Sequence, residues 1–177
     1  MFFLALAAFG AQATTVLPLF LDEIIDGSAV AFQGTVTENR SDRDAKGFIV
    51  TYTTFSVSDV LKGQVGSSYT IKQIGGSLPA ENLNYKVFGV PTFAVGRSYV
   101  VFLPGVSAAG FSSPVGLSQG RFGVSGGEVS NGRDFGELMS RMAPGAAGRA
   151  PQVNGPRTRL GLEDFKAAIR RHVGGGQ

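Results

Sequence analysis

Few residues in this chain of 177 could carry out acid–base or nucleophilic chemistry. The sequence has one histidine, His172, and no cysteine, which excludes a cysteine nucleophile and thiolate metal sites. A Ser-His-Asp triad would need His172, but this residue ends a predicted surface helix, where nothing would fix its tautomer or exclude water. The sequence therefore predicts no catalytic residue.

The carboxylates are scattered, and they do not form a metal-binding pattern. Asp42 and Asp44 are the closest candidates, but they lack the spaced oxygen ligands and the distant Glu of a calcium loop. Adjacent acidic pairs at 22–23 and 163–164 fall in the first turns of predicted helices, where they stabilise the helix dipole. We expect no metal and no other cofactor.

The distribution of charge argues against a nucleic-acid partner. The formal net charge is +3, but residues 1–132 carry a net charge of −1 and residues 133–177 a net charge of +4. Phosphate binding needs cations concentrated on a folded face, usually with stacking aromatic residues. The nearly neutral main part of the chain does not fit this requirement.

The N-terminal segment has the features of an export signal. Residues 1–13 carry no charge and end in Ala-Gln-Ala, the small-x-small pattern that signal peptidase accepts. We expect residues 1–13 to be a signal peptide, Thr14 to be the new N-terminus, and the protein to be periplasmic or secreted. An apolar first strand or helix is the alternative. No other run reaches the roughly 18–20 apolar residues of a membrane span.

Residues 14–140 predict one mainly β domain with a short leading helix. The 26 glycines and 14 phenylalanines favour a turn-rich β protein over a helical bundle. Before the first strand, the apolar stripe that includes Leu17 and Leu21 predicts a helix with Pro18 in its first turn and Gly27 just past its end.

A long β-hairpin is predicted over residues 32–63. Residues 38–47, ENRSDRDAKG, are expected to form a charged and flexible loop at its tip. In the return strand, the apolar residues alternate on one face up to Tyr52 and on the other face from Phe55, so the alternation shifts near Thr53-Thr54. Either a β-bulge accommodates an extra residue there or the strand changes its buried side.

The remainder of the domain predicts further strands and one long irregular segment. A third strand precedes the segment at 75–95, which is too long for a simple connector and carries Tyr85, Phe88 and Phe93. Residues 99–103 are nearly all apolar, which indicates a strand buried on both faces. A glycine pair at 126–127 marks the last hairpin. In total, five or six antiparallel strands are expected.

The C-terminal part divides into a linker and a helix. Residues 141–159 are rich in Ala, Pro and Gly, which predicts a flexible linker. Residues 160–173 show an apolar stripe that includes Phe165 and Ile169, which predicts an amphipathic helix packed on the β domain.

Three segments, AVAFQGTV, FSVSDVLKG and VPTFAVGRSYVVFLPG, together resemble netrin-like (NTR) modules and the N-terminal domains of tissue inhibitors of metalloproteinases. The resemblance implies an OB-like, five- to six-stranded antiparallel barrel flanked by terminal helices. It also implies a protein partner, with a secreted metalloprotease as a candidate. In those inhibitors an N-terminal cysteine chelates the protease zinc. Here Thr14 would present the terminal amine, without a disulfide to fix it.

The expected function is that of an exported, non-enzymatic, monomeric protein-binding module. Tyr85, Phe88, Phe93 and Thr14 are the candidate binding residues, since exposed aromatic side chains are enriched in interface hot spots. The alternative for the three aromatic residues is that they cap the core. Two other functions stay open: a glycan- or lipid-binding envelope protein, and a hydrolase with an unusual Ser or Asp site.

Overall fold

The structure is a computed structural model that describes residues 17–142 and 157–175. The predicted signal peptide, residues 1–13, lies outside the described residues, as do Thr14 and residues 143–156 of the predicted linker. In the two described ranges, no helix has the length and apolar character needed to cross a membrane.

The described residues form nine strands and three α-helices. In chain order they are α1 (Leu21–Asp26), β1 (Val30–Arg43), β2 (Ile49–Lys62), β3 (Ser68–Ile74), β4 (Gly76–Leu78), β5 (Leu83–Tyr85), β6 (Ser98–Leu103), β7 (Arg121–Ser125), β8 (Glu128–Ser130), α2 (Phe135–Leu138), β9 (Leu160–Gly161) and α3 (Leu162–Gly175).

Seven of the strands form one antiparallel sheet in the order β3-β2-β1-β6-β7-β8-β9, and β4 pairs with β5 separately. The prediction of a mainly β fold is confirmed. The predicted OB-like barrel is wrong, because the sheet does not close: its edge strands β3 and β9 do not pair with each other. Strands β8 and β9 have only three and two residues, and α3 follows β9 directly. The chain therefore leaves the sheet before a strand could pair with β3.

Strand β6 is buried on both faces, as predicted, and it separates two hydrophobic cores. Val100 and Phe102 belong to the first, which we call the helix-side core because all three helices contribute to it. Tyr99, Val101 and Leu103 belong to the other, which we call the second core and which contains strand residues and Phe93. The centre of the sheet is thus fixed from both sides.

Aromatic side chains dominate the helix-side core. The Phe165 ring of α3 lies 4.8 Å from the Phe122 ring of β7 and 6.3 Å from the Phe102 ring of β6. Phe135 of α2 completes the cluster, 5.8 Å from Phe165. The C-terminal helix therefore packs on the sheet through its aromatic side chain, and it spans Leu162–Gly175 where residues 160–173 were predicted.

The leading helix is shorter than predicted. It begins at Leu21, so Pro18 precedes it, and the Leu17 side chain is 78% exposed. Gln119 explains the difference, since its side chain accepts from the Leu19 N–H (2.7 Å) and donates to the Leu17 carbonyl (3.1 Å). These bonds hold the chain outside the helix.

Both described ends of the predicted linker contact the domain. Met142 is buried in the helix-side core. The backbone N–H of Arg157 donates to the Asp134 carboxylate at 2.6 Å, and the Arg157 carbonyl accepts from the Phe135 N–H. The linker prediction therefore included ordered residues at each end.

The long hairpin exists, but the loop predicted at 38–47 is shorter, and residues 38–43 belong to a strand. Strand β1 continues to Arg43, and the turn is made by Asp44, whose carboxylate accepts from the Lys46 and Phe48 N–H groups. Charged residues at 38–43 do not prevent strand formation, because they can face solvent while their neighbours face inward.

The hairpin contains bulges, but none lies at Thr53-Thr54. The nearest is on the opposite strand, where Val36 pairs with Phe55 and Glu38 pairs with Thr54, so Thr37 has no partner. Two further register shifts lie toward the other end of the hairpin. The bulge at Thr37 determines which side chains of β1 face the second core's side of the sheet.

Replacing Phe165 with Ala tests the docking of α3. The fully buried ring contacts three other phenylalanines, and removing a buried Phe side chain costs about 3–5 kcal/mol. We expect urea unfolding to show this loss for Phe165→Ala. The control, Phe88→Ala at a 90% exposed position, should change the free energy of unfolding little. Equal effects would contradict the described packing.

Replacing Asp59 with Asn tests the ion cluster that joins β2 to α3. Burial opposes ionisation of Asp59, but Lys166 at 3.0 Å and Arg170 at 2.6 Å outweigh it and lower its pKa. The contribution is therefore present above the unfolded pKa of about 3.9 and is lost as pH falls through the folded value. The stability difference between wild type and Asp59→Asn, measured by urea unfolding from neutral to acidic pH, should shrink in acid. A difference independent of pH would contradict this.

Candidate functional site

A cavity of about 330 Å³ lies beside the distal part of the long hairpin. Its walls are β1, β2 and β3 on one side and the β4–β5 hairpin with the 86–93 loop on the other. Most of the polar side chains that line it are uncharged. They are Asn39, Ser41, Thr51, Thr53, Gln73, Ser77, Asn84, Tyr85 and Thr92.

The bulge at Thr37 brings two of these side chains to the cavity. Val36 belongs to the second core, and strict alternation would place Glu38 on its face of the sheet. The extra residue shifts the alternation by one, so Asn39 and then Ser41 take that side. The charged residues that alternate with them, at 38, 40 and 42, do not line the cavity, which explains the uncharged lining.

Hydrogen bonds between strands and loop fix the cavity wall. Thr53, which is buried, donates its hydroxyl to the Asn39 side-chain oxygen at 2.7 Å. The Asn39 amide in turn donates to the Phe93 carbonyl at 2.6 Å. At the next position along the strands, Thr51 donates to the Gly75 carbonyl at 2.7 Å. The strands therefore hold both ends of the segment that covers the cavity.

Phe93 anchors the covering loop in the second core. Its ring makes edge-to-face contacts with Phe55 and Tyr99, each at 5.1 Å between centroids. The Ala94 N–H donates to the Tyr99 hydroxyl at 3.0 Å. With 5% of its surface exposed, Phe93 caps the core, and the expectation that it is exposed is wrong.

Gln73 carries an unsatisfied polar group in the cavity wall. The side chain is 3% exposed, and its Nε2 atom has no hydrogen-bond partner within the part of the chain that the structure describes. Three other buried side-chain atoms share this condition, on Asp22, Ser112 and Arg121. None of those three residues lines this cavity or the second one described below.

The structure separates the other predicted binding residues. Tyr85, 49% exposed, lines the cavity. Phe88, 90% exposed, lines a second cavity of about 350 Å³ formed with residues 116–119, Pro18 and Arg133. Tyr85 and Phe93 thus meet at one site, and Phe88 lies at another. Thr14 lies outside the described residues.

The histidine of the chain and its carboxylate partner lie elsewhere. His172 Nε2 is 2.8 Å from Asp26 Oδ1, which joins α3 to the end of α1. Neither residue lines either cavity. Across residues 17–142 and 157–175, no group of three or more His, Cys, Asp or Glu side chains could hold a metal ion.

Sequence reasoning missed the polar side chains of the site on β1, β2 and β3. A signal was present: neutral Asn39 and Ser41 alternate with charged residues at 38, 40 and 42, a period of two that is typical of a strand with two different faces. The charge of the segment instead suggested a loop.

Comparisons with known proteins give no relative to guide the assignment. No protein-family model, no curated protein and no solved structure matches this chain. The resemblance to netrin-like modules therefore stays a prediction, and the function has to be argued from the site.

Proposed function

We propose that this protein is a non-enzymatic binding module that holds a small, uncharged ligand in the cavity beneath the 86–93 loop. The observation that carries the proposal is the convergence of hydrogen-bonding side chains from three strands on a cavity whose lining includes Gln73, a residue with an unpaired amide nitrogen. The volume of about 330 Å³ is within the range of about 300–1,000 Å³ that small-molecule sites occupy.

The lining chemistry supports binding over catalysis. Among the described residues that line the cavity, none is a His, Asp or Glu that could act as a general base, and a hydroxyl nucleophile needs an adjacent base. The hydroxyls of Thr51 and Thr53 instead donate to a backbone carbonyl and to Asn39. Such bonds hold a wall in place and leave lone pairs for a ligand.

Filling the cavity tests the proposal. Ser77 lines the cavity and is exposed, so a phenyl ring added there can occupy the ligand space without displacing core residues. We expect thermal-shift screening of the full chain against neutral sugars, nucleosides, dipeptides and fatty acids to give a stabilising compound for wild type, since a ligand of the native state raises the melting temperature. Ser77→Phe should abolish the shift.

The matched control is Ser67→Phe, at an exposed serine that does not line the cavity. This variant should keep the full shift. A compound that stabilises Ser77→Phe as strongly as wild type would bind elsewhere and would contradict the assignment of the cavity.

A second candidate function is the docking of another protein at Phe88. The observation that favours it is the exposure of this ring, which is 90%. Phe88 lines the second cavity together with Gly89 and Leu117. Aromatic side chains, Phe included, are enriched in protein–protein interfaces relative to the rest of the surface. Under this proposal the chain is an exported, monomeric netrin-like module whose partner is an extracellular protein, with a secreted metalloprotease as the candidate to test.

Replacing Phe88 with Ala tests the second candidate. If the ring is a hot spot, its removal should lower capture of the partner from an extracellular extract by about 30-fold or more, which corresponds to about 2 kcal/mol. Phe48→Ala is the matched control, because Phe48 is 51% exposed and lines neither cavity. Identical sets of captured proteins for wild type and Phe88→Ala would exclude the docking role.

A further inference from the structure

We propose that the ligand of the cavity is a neutral sugar and that the side-chain amide of Gln73 is the group that selects it. This inference rests on the proposed binding function of the cavity. It assigns a ligand class and a specificity-determining residue, and it can fail while the binding function holds.

The charge of the lining points to a neutral ligand. Among the residues that the structure places around the cavity, Lys86 is the one with an ionic side chain, and it is exposed. No carboxylate is present there to bind a cation. An anionic ligand would need its charge paired on entering a partly enclosed site, and a single exposed lysine offers weak pairing.

The hydrogen-bonding groups exclude a purely apolar ligand. A hydrocarbon chain in the cavity would leave the Gln73 amide nitrogen unpaired. It would also cover the solvent-facing polar groups of the wall without replacing their bonds to water, which costs free energy. Asn39 uses one amide N–H for the Phe93 carbonyl, and the second can serve a ligand. The site therefore favours a molecule with several closely spaced oxygen atoms that both accept and donate.

The apolar part of the wall fits the faces of a sugar ring. Tyr85 and Phe93 line the cavity together with Val87 and Val90, so polar and apolar groups surround the same small volume. A sugar ring has hydroxyl groups around its edge and C–H groups on its faces. The cavity lies near the lower end of the size range for small-molecule sites, which suits a small saccharide or the end of a longer one.

Gln73 is the strongest candidate for the selecting group because its position is fixed and its amide nitrogen is unpaired. Gln73 on β3 pairs with Thr51 on β2, and 3% of its surface is exposed to solvent. A site built around a buried hydrogen-bonding group rejects ligands that leave this group unpaired. A rotation of the amide toward the cavity would let Gln73 Nε2 donate to a sugar hydroxyl, which would satisfy it.

The experiment is calorimetric titration of the full chain with methyl glucoside, methyl galactoside, methyl mannoside, methyl N-acetylglucosaminide, maltose and cellobiose. Glucuronate, a neutral dipeptide and decanoate serve as comparison ligands. We expect saturable binding of at least one neutral sugar. Gln73→Leu should weaken it at least tenfold without lowering the melting temperature of the unliganded protein, because an unpaired buried donor is replaced by an apolar group. Gln64→Leu, at an exposed glutamine outside the cavity, should bind as wild type does.

Each result decides between the two levels of the proposal. Binding of the dipeptide or decanoate in place of every sugar, abolished by Ser77→Phe, would overturn the sugar assignment and leave the binding function standing. Tighter binding of glucuronate than of the neutral sugars would also overturn it. No binding of any probe would count against both. Unchanged sugar affinity in Gln73→Leu would overturn the role of Gln73.

If Gln73→Leu does not fold, nitrogen–proton correlation spectra of the wild-type protein replace it. The side-chain NH₂ signals of Gln73 should shift on saturation with the bound sugar, and those of Gln64 should not. Unshifted Gln73 signals at saturation would overturn the role of this residue.

Discussion

Strands β1 and β6 lie side by side between two hydrophobic cores, and this arrangement limits what every other part of the chain can do. On β1, Ala31 belongs to the helix-side core and Phe32 to the second core. Three helices cover the first face. The second face is covered by side chains of the sheet itself and by Phe93, and the Phe32 and Tyr69 rings lie 5.4 Å apart although β2 separates their strands. Such contact fits a sheet that curls toward this face.

Apolar packing on the second face ends before the hairpin does, and the cavity begins at that point. Val36 and Phe55 pair across the hairpin and are both buried. One step further, Asn39 and Thr53 pair and share a hydrogen bond. The bulge between these two pairs makes the change possible, because it brings neutral side chains inward where strict alternation would have brought Glu38. Without that residue, a charge would enter a partly buried site and require a partner.

Local patterns in the sequence predicted most of the regular elements and little of the site. The apolar run at 99–103, the glycine pair at 126–127 and the stripe of α3 each follow from residues close in sequence. The failures depend on distant contacts. Residues 38–43 of the predicted loop form a strand because they pair with residues 49–54, and Leu17 stays outside α1 because Gln119 binds the backbone there. Strand β9 has two residues and gives no periodic signal at all.

The site departs from the rules of stability, and this departure supports the proposal that it binds a ligand. A buried donor without a partner costs about 1–3 kcal/mol. This is a substantial part of the free energy of unfolding of a typical domain, which is about 5–15 kcal/mol. The neighbours of Gln73 do not share this condition, since Thr51, Thr53 and Asn39 all have partners. Leucine or methionine at position 73 would remove the cost with little change in volume. Sequences that violate a local rule of stability tend to do so at functional sites, and a ligand that accepts a hydrogen bond from Gln73 would recover the lost free energy on binding.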